Sequence, residues 1–159
     1  MPINVFDYLS HLEQERYRAI ILHTTPENGP FLTLFSKKIC EQSNGKYLDL
    51  LELFIQSKEL RESIDSFSPE KLRGLLIEQC RTQSFLFVDR VDFLIDTWRK
   101  PERQSFYRLI NNQWDGYKEG MKARLILCVQ TSQEIEALKF ADSQGQSRIF
   151  RLNDFNDIA

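Results

Sequence analysis

Two hydrophobic periods alternate along the chain: short apolar runs, and longer stretches whose apolar residues recur every three or four positions. "AIILH" (19–23), "KYLDLL" (46–51), "SFLFVDR" (84–90), "ARLILCVQTS" (123–132) and "SRIFRL" (147–152) read as five strands. Several of them are apolar almost throughout, as strands covered on both faces must be. Val5, Tyr8, Leu9 and Leu12 predict an amphipathic helix over residues 4–17. Leu32, Phe35 and Ile39 line a second helix, which Asn44 and Gly45 should end in left-handed turn geometry. Residues 53–67 read as a short helix plus a loop. In "SFSPEKLRGLLIEQC", Ser68 is an N-cap, Pro69 suits the first helical position and Glu70 meets the positive helix end. Leu72, Leu75, Leu76 and Cys80 then form its stripe. Pro101 opens a helix that buries Phe106, Leu109, Ile110 and Trp114, and Thr131 with Glu134 suggests a capping box for a short one.

Parallel strands need crossovers of a dozen or more residues, so this alternation predicts an α/β fold with a mainly parallel five-stranded sheet and helices on both faces. No repeat or linker divides the sequence, and residues 1–159 read as a single domain. A hydrophobic share of 42% with twelve Phe residues supplies a core, and 28% charged residues supply a wet exterior. The 21 basic and 23 acidic residues are intermixed, leaving a net charge of −2 and no overall field to gather nucleic acid or an anionic membrane. Cys40, Cys80 and Cys128 are far apart in apolar segments and read as buried thiols in a reducing compartment. With two histidines, a zinc site is not expected. The start lacks the pattern of a signal peptide and no apolar run approaches ~18 residues, so a cytoplasmic protein without a membrane anchor is expected.

The stretch "HTTPENGPF" (23–31) follows the first strand and leads into a helix, where P-loop NTPases hold phosphate. Thr25, Asn28 and Gly29 occupy the loop. With Gly29 as the last glycine of such a motif, Pro30 stands in place of the Lys and Phe31 in place of the Thr. Pro30 also donates no backbone hydrogen bond. Loss of the lysine's charge-assisted bond alone costs about 1.5 to 3 kcal/mol, the lost hydroxyl removes a magnesium ligand, and Glu27 adds negative charge. Two readings remain: an ordinary strand-to-helix turn, or a phosphate loop that has lost its chemistry.

"FLFVDRVDFL" ends a buried strand on Asp89, as a Walker B segment does where its carboxylate holds magnesium. Arg90 stands where AAA-type enzymes place the Glu that orients water. The plainer reading of Asp89 is a helix cap or a salt bridge to a nearby Arg, and Asp92 reads as a solvated loop residue. At the end of the fourth strand, Gln130 or Thr131 matches a phosphate-sensing position, although strands commonly end on polar residues.

Jointly these segments resemble the P-loop NTPase core in its AAA or STAND-like form. They more closely resemble BrxF proteins, the small P-loop family of type-three BREX phage-defence systems. The resemblance spans nearly the whole chain: "RAIILHTTPENGPFLTLFSKK", "YLDLLELFIQSKELRESIDSFSPEKLRGLLIEQ", "FLFVDRVDFLID", "FYRLINNQW", "RLILCVQTS" and "RIFRLNDF" follow in the family's order. It implies a three-layer P-loop core, ATP with magnesium as the family's ligand and a larger ATPase or DNA-modifying protein as partner. The chain departs from the family at the Gly-Lys-Thr and after Asp89, which puts catalysis in doubt more than fold. About seven residues follow the last strand, so no C-terminal lid domain is expected and the nucleotide face would be open to a partner.

Arg99, Lys100, Arg103 and Arg108 cluster around one helix start. The functional reading is entry into a neighbour's active site or contact with DNA phosphates; the plainer and preferred one is a solvated face balanced by Asp96 and Glu102. Trp98 and Trp114 read as core rather than stacking platforms, and His23 as a structural hydrogen-bonding residue. The preferred expectation is a non-catalytic P-loop subunit, with no required cofactor, that docks to a larger defence protein or to itself. The alternatives are an NTPase completed in trans, with Asp89 on magnesium, and a small DNA-binding module.

Overall fold

A computed structural model describes residues 2–156. In chain order the elements are α1 (Val5–Leu12), β1 (Ala19–Thr24), α2 (Gly29–Gln42), β2 (Lys46–Asp49), α3 (Leu50–Gln56), α4 (Lys58–Glu62), α5 (Pro69–Gln79), β3 (Phe85–Asp89), α6 (Asp92–Ile95), α7 (Lys100–Gln113), β4 (Arg124–Gln130), α8 (Gln133–Ala137) and β5 (Ile149–Arg151). The five strands form one sheet in the order β2-β3-β4-β1-β5, and every pairing is parallel.

Side chains alternate across this sheet with period two, and both faces are covered. Ile20, Leu22, Phe87, Ile126 and Cys128 pack against α1 and α2 through Leu9, Leu32 and Ile39. Ile21, Leu86, Val88, Leu125 and Leu127 meet Phe54, Leu72, Leu76, Phe106 and Ile110 of α3, α5 and α7. Trp98 and Trp114 are core residues whose indole N–H groups donate to the carbonyls of Phe67 and Ala123, at 2.7 and 2.9 Å. Cys80 and Cys128 are buried and Cys40 is partly so.

Four local expectations are corrected. The helix expected over 4–17 ends at Leu12, because the following residues make tertiary bonds instead: Glu15 buries its carboxylate against Ser143, and Arg16 pairs with Asp115 at 3.0 Å. The segment expected to hold one helix and a loop forms two short helices, capped by Asp49 and Ser57, and a 3-10 turn. Ser132, not Thr131, caps α8, since Thr131 bonds to His23 and Glu134 to Arg103.

Asn44 and Gly45 do not adopt left-handed geometry after α2. Gly45 is required for another reason: a Cβ there would fall inside the Phe85 ring. Gly45→Ala should lower stability by about 1 to 3 kcal/mol through overpacking, measured as a lower urea midpoint with an unchanged slope; an unchanged midpoint would show that Phe85 moves aside freely.

Candidate functional site

The topology leaves a crevice at one place. β1 and β4 are neighbours, yet β1 departs through α2 toward β2 on one edge, while β4 departs over the opposite face through α8 to reach β5. Right-handed crossovers send these connections to opposite faces. The carboxyl ends of β1 and β4 therefore diverge, and open α/β sheets bind ligands in such crevices. A cleft of about 500 Å³ lies there, lined among others by Thr25, Gly29, Thr33, Lys37, Asp89 and Gln130.

At its floor Asp89 is 5% exposed and accepts three hydrogen bonds, which leave one lone pair of Oδ1 unused. Its Oδ2 receives the Thr33 hydroxyl at 2.5 Å and the Tyr47 hydroxyl at 2.6 Å, and its Oδ1 receives the backbone N–H of Arg90 at 2.9 Å. Gly29, Thr33 and Lys37 recur at helical spacing on α2, which turns them toward the cleft. Tyr47 reaches Asp89 because β2 pairs with β3 in the register Tyr47↔Phe87 and Asp49↔Asp89. Burial, and then the bond to Asp89, push the Tyr47 phenol well above its usual range. The Lys37 ammonium sits 5.3 Å from the centroid of the Tyr47 ring.

Arg90 has the left-handed φ of 55°. That turn carries its guanidinium back to Asp49, with Nε 3.0 and 2.9 Å from the two carboxylate oxygens and Nη2 2.5 Å from Oδ2. Asp49 Oδ1 also accepts the Glu52 N–H at the start of α3. The salt bridge to a nearby arginine expected of Asp89 is not made: Arg90 pairs with Asp49 instead, and Asp89 is held by two hydroxyls and an N–H. Asp92 is not solvated as expected: it is half-buried at the start of α6 and accepts the Gln130 N–H at 3.1 Å. Burial raises its pKa, partly opposed by that bond.

Of the nucleotide-site residues singled out in the sequence, Thr25, Gly29, Asp89 and Gln130 line the cleft. Asn28 does not; its side-chain amide donates to Thr25 Oγ1 at 3.3 Å and it lines the adjacent groove. Gln130 is exposed. Thr131 points away from the cleft to His23, with Oγ1 2.7 Å from Nδ1, and burial lowers the pKa of His23. Thr33, Lys37, Tyr47 and Asp49 were not anticipated. The four-residue spacing from Gly29 to Thr33 and Lys37 was a usable signal; the strand register that delivers Tyr47 was not.

The basic cluster divides. Arg103 is committed to Glu134, with Nη2 2.6 Å from Oε1, and to the Trp98 carbonyl. Arg99 stands 3.8 Å from Glu102. Lys100 and Arg108 are exposed, and the five positions from Arg103 to Arg108 turn them about 140° apart on α7.

Beside the cleft, α2 presents a second, apolar surface. Phe31 is 64% and Leu34 50% exposed, and with Phe35, Leu152 and Phe155 they line a groove of about 590 Å³. Chemically the cleft offers three aspartates, each already accepting hydrogen bonds, against Lys37 and Arg90. Cys128 on its wall is buried, which pushes its thiol up, so it supplies no thiolate. Among the described residues no helix is long and apolar enough to cross a membrane. No protein-family model matches the chain, and no curated protein matches it either.

Proposed function

We propose that this chain is a non-catalytic P-loop-type subunit, built like the BrxF proteins of type-three BREX defence systems, that works by docking to a larger ATPase or DNA-modifying protein. The observation that carries the reading is the closed state of Asp89. A carboxylate that holds magnesium must offer lone pairs to the metal or its water, and here two hydroxyls fill Oδ2 while an N–H takes one of the two lone pairs of Oδ1. Pro30 and Phe31 bring neither charge nor hydroxyl to the cleft, and Phe31 turns outward. The all-parallel sheet, with its crevice at the carboxyl ends of β1 and β4, supports the P-loop comparison in architecture. Exposure of Phe31 and Leu34 next to that crevice suits a surface covered by another protein.

One observation favours the alternative of an NTPase completed in trans: Lys37 reaches the cleft from α2, and a phosphate could draw its ammonium off the Tyr47 ring.

Calorimetric titration with ATP and magnesium separates the two. The expected result is no saturable binding up to millimolar nucleotide, for the chain alone and for the complex purified with proteins encoded beside it. Replacing Phe31 and Leu34 together by Asp should abolish co-purification of that partner while the chain stays folded. Micromolar ATP binding, to either form, would overturn the non-catalytic reading.

A further inference from the structure

At the amino ends of β1 and β5, away from the cleft, the fold brings a distant aspartate to a histidine and a glutamate spaced four residues apart. His11 lies in the last turn of α1, Glu15 just beyond it, and Asp142 in the loop before β5. His11 Nε2 is 3.4 Å from Glu15 Oε1, and one ligand atom from each of the three lies within 4.8 Å of the others. Ligands bound at about 2.0 to 2.2 Å around a single ion stand roughly 3 to 4 Å apart, so small side-chain rotations bring the trio onto one centre.

We infer that His11, Glu15 and Asp142 form a binding site for one divalent transition-metal cation, of the kind that takes mixed imidazole and carboxylate ligands. The donor set excludes calcium and magnesium as the best occupants, because both favour all-oxygen shells with more ligands. Imidazole with carboxylates suits zinc and its first-row neighbours, with solvent completing the shell.

The supporting shell is already built. Glu15 is 5% exposed, and Ser143 orients it by donating its hydroxyl to Oε1 at 2.9 Å and its backbone N–H to Oε2 at 3.2 Å. The N–H groups of Gln144 and Gln146 both donate to Asp142 Oδ1. Bonds of this kind fix ligand orientation before the ion arrives. His11 is largely exposed and gives the ion a route in from solvent.

Beside the trio the Tyr8 hydroxyl is buried with no hydrogen-bond partner, in the field of the Arg148 guanidinium and then of the Asp142 and Glu15 carboxylates.

Arg148 opposes the cation. Its guanidinium interacts with the charges of Glu15 and Asp142, but its N–H groups donate to the carbonyls of Ala19 and Ala141 and to the Asn111 side chain. Two carboxylates against one guanidinium leave the group net negative. The ion therefore gains attraction, though less than two carboxylates alone would give.

The test uses the full chain, zinc chloride in a calorimeter and cobalt chloride followed by visible absorption. The expected result is one equivalent bound, a cobalt spectrum typical of low coordination, and a rise in Tm, since the ion ties α1 to a loop more than a hundred residues away in sequence. His11→Ala and Asp142→Asn should each weaken binding at least roughly tenfold, the smaller loss seen when only a supporting partner of a ligand is removed. The other histidine, His23, is buried and bonded to Thr131, so loss in His11→Ala reports on this trio. No saturable binding, or binding that survives either substitution with its affinity unchanged, overturns the inference. A positive or negative outcome leaves the reading of the cleft untouched, because the two sites share no residue.

Discussion

Asp89→Ala should lower the free energy of unfolding by about 3 kcal/mol, a loss of roughly 6 to 12 °C in Tm for a domain of this size. The substitution strands three donors at once: the Thr33 and Tyr47 hydroxyls and the Arg90 N–H. Each loses a bond to a charged acceptor, worth about 1.5 to 3 kcal/mol where nothing replaces it, and water reaching the cleft recovers part of the total. The effect is structural because Asp89 joins α2, β2 and β3 across the crevice. In a nucleotide-binding version of the same site the carboxylate would serve the ion, and its removal would abolish binding with little change in stability. Thermal melts of the wild type and of Asp89→Ala, without nucleotide, measure the difference. A variant as stable as the wild type would mean that the closed network contributes nothing, and the non-catalytic reading would lose its main support.

Stability should fall steeply at alkaline pH, beginning above about pH 9. Burial raises the pKa of Cys80 and Cys128 and pushes Cys40 up to about 12. It also raises Tyr8, Tyr47 and Tyr107 far above the usual phenol range. For Tyr47 the bond to Asp89 adds to burial, and for Tyr107 the charges of Asp92 and Glu134 do. A pKa raised on folding means that the native chain keeps a proton the unfolded chain has released. Between the unfolded and folded pKa values, stability therefore decreases as pH rises, by about 1.4 kcal/mol per pH unit for each fully buried group. Solvent near the partly exposed Tyr47 and Cys40 reduces their share. Since domains of this kind are stable by only about 5 to 15 kcal/mol, several such groups should unfold the chain by about pH 11. Urea midpoints at pH 7, 9, 10 and 11 give the slope, and a flat profile would show that these side chains ionise without unfolding the chain.

The candidate site was half legible in advance. Asp89 at the end of its strand, and the loop holding Thr25 and Gly29, were placed by order along the chain, because a buried apolar run ending on a polar residue delivers that residue to the end of the sheet. The partners of Asp89 were not. Tyr47 reads as one more aromatic in a short strand, and only the pairing of β2 with β3 brings its hydroxyl to Asp89. Thr33 lies about half a turn beyond Phe31 on α2, outside the loop motif, and only the packing of α2 against β3 brings its hydroxyl to Asp89. Asp92 looked solvated because loop residues usually are, until α6 folded it against the Gln130 N–H.

The fold class is written locally in the chain: five apolar runs, separated by amphipathic segments with their own caps, hide both faces of each strand in an α/β sheet. Those signals are local, carried by residues within one or two turns of each other. Long-range packing is what gives Asp89 its hydroxyl partners, turns Arg90 to Asp49, and brings Asp142 to His11 and Glu15 at the other end of the sheet. Apart from His11 and Glu15, which are four positions apart, these are contacts between residues from about 40 to 130 positions apart, and no local periodicity encodes a meeting that depends on strand order and register.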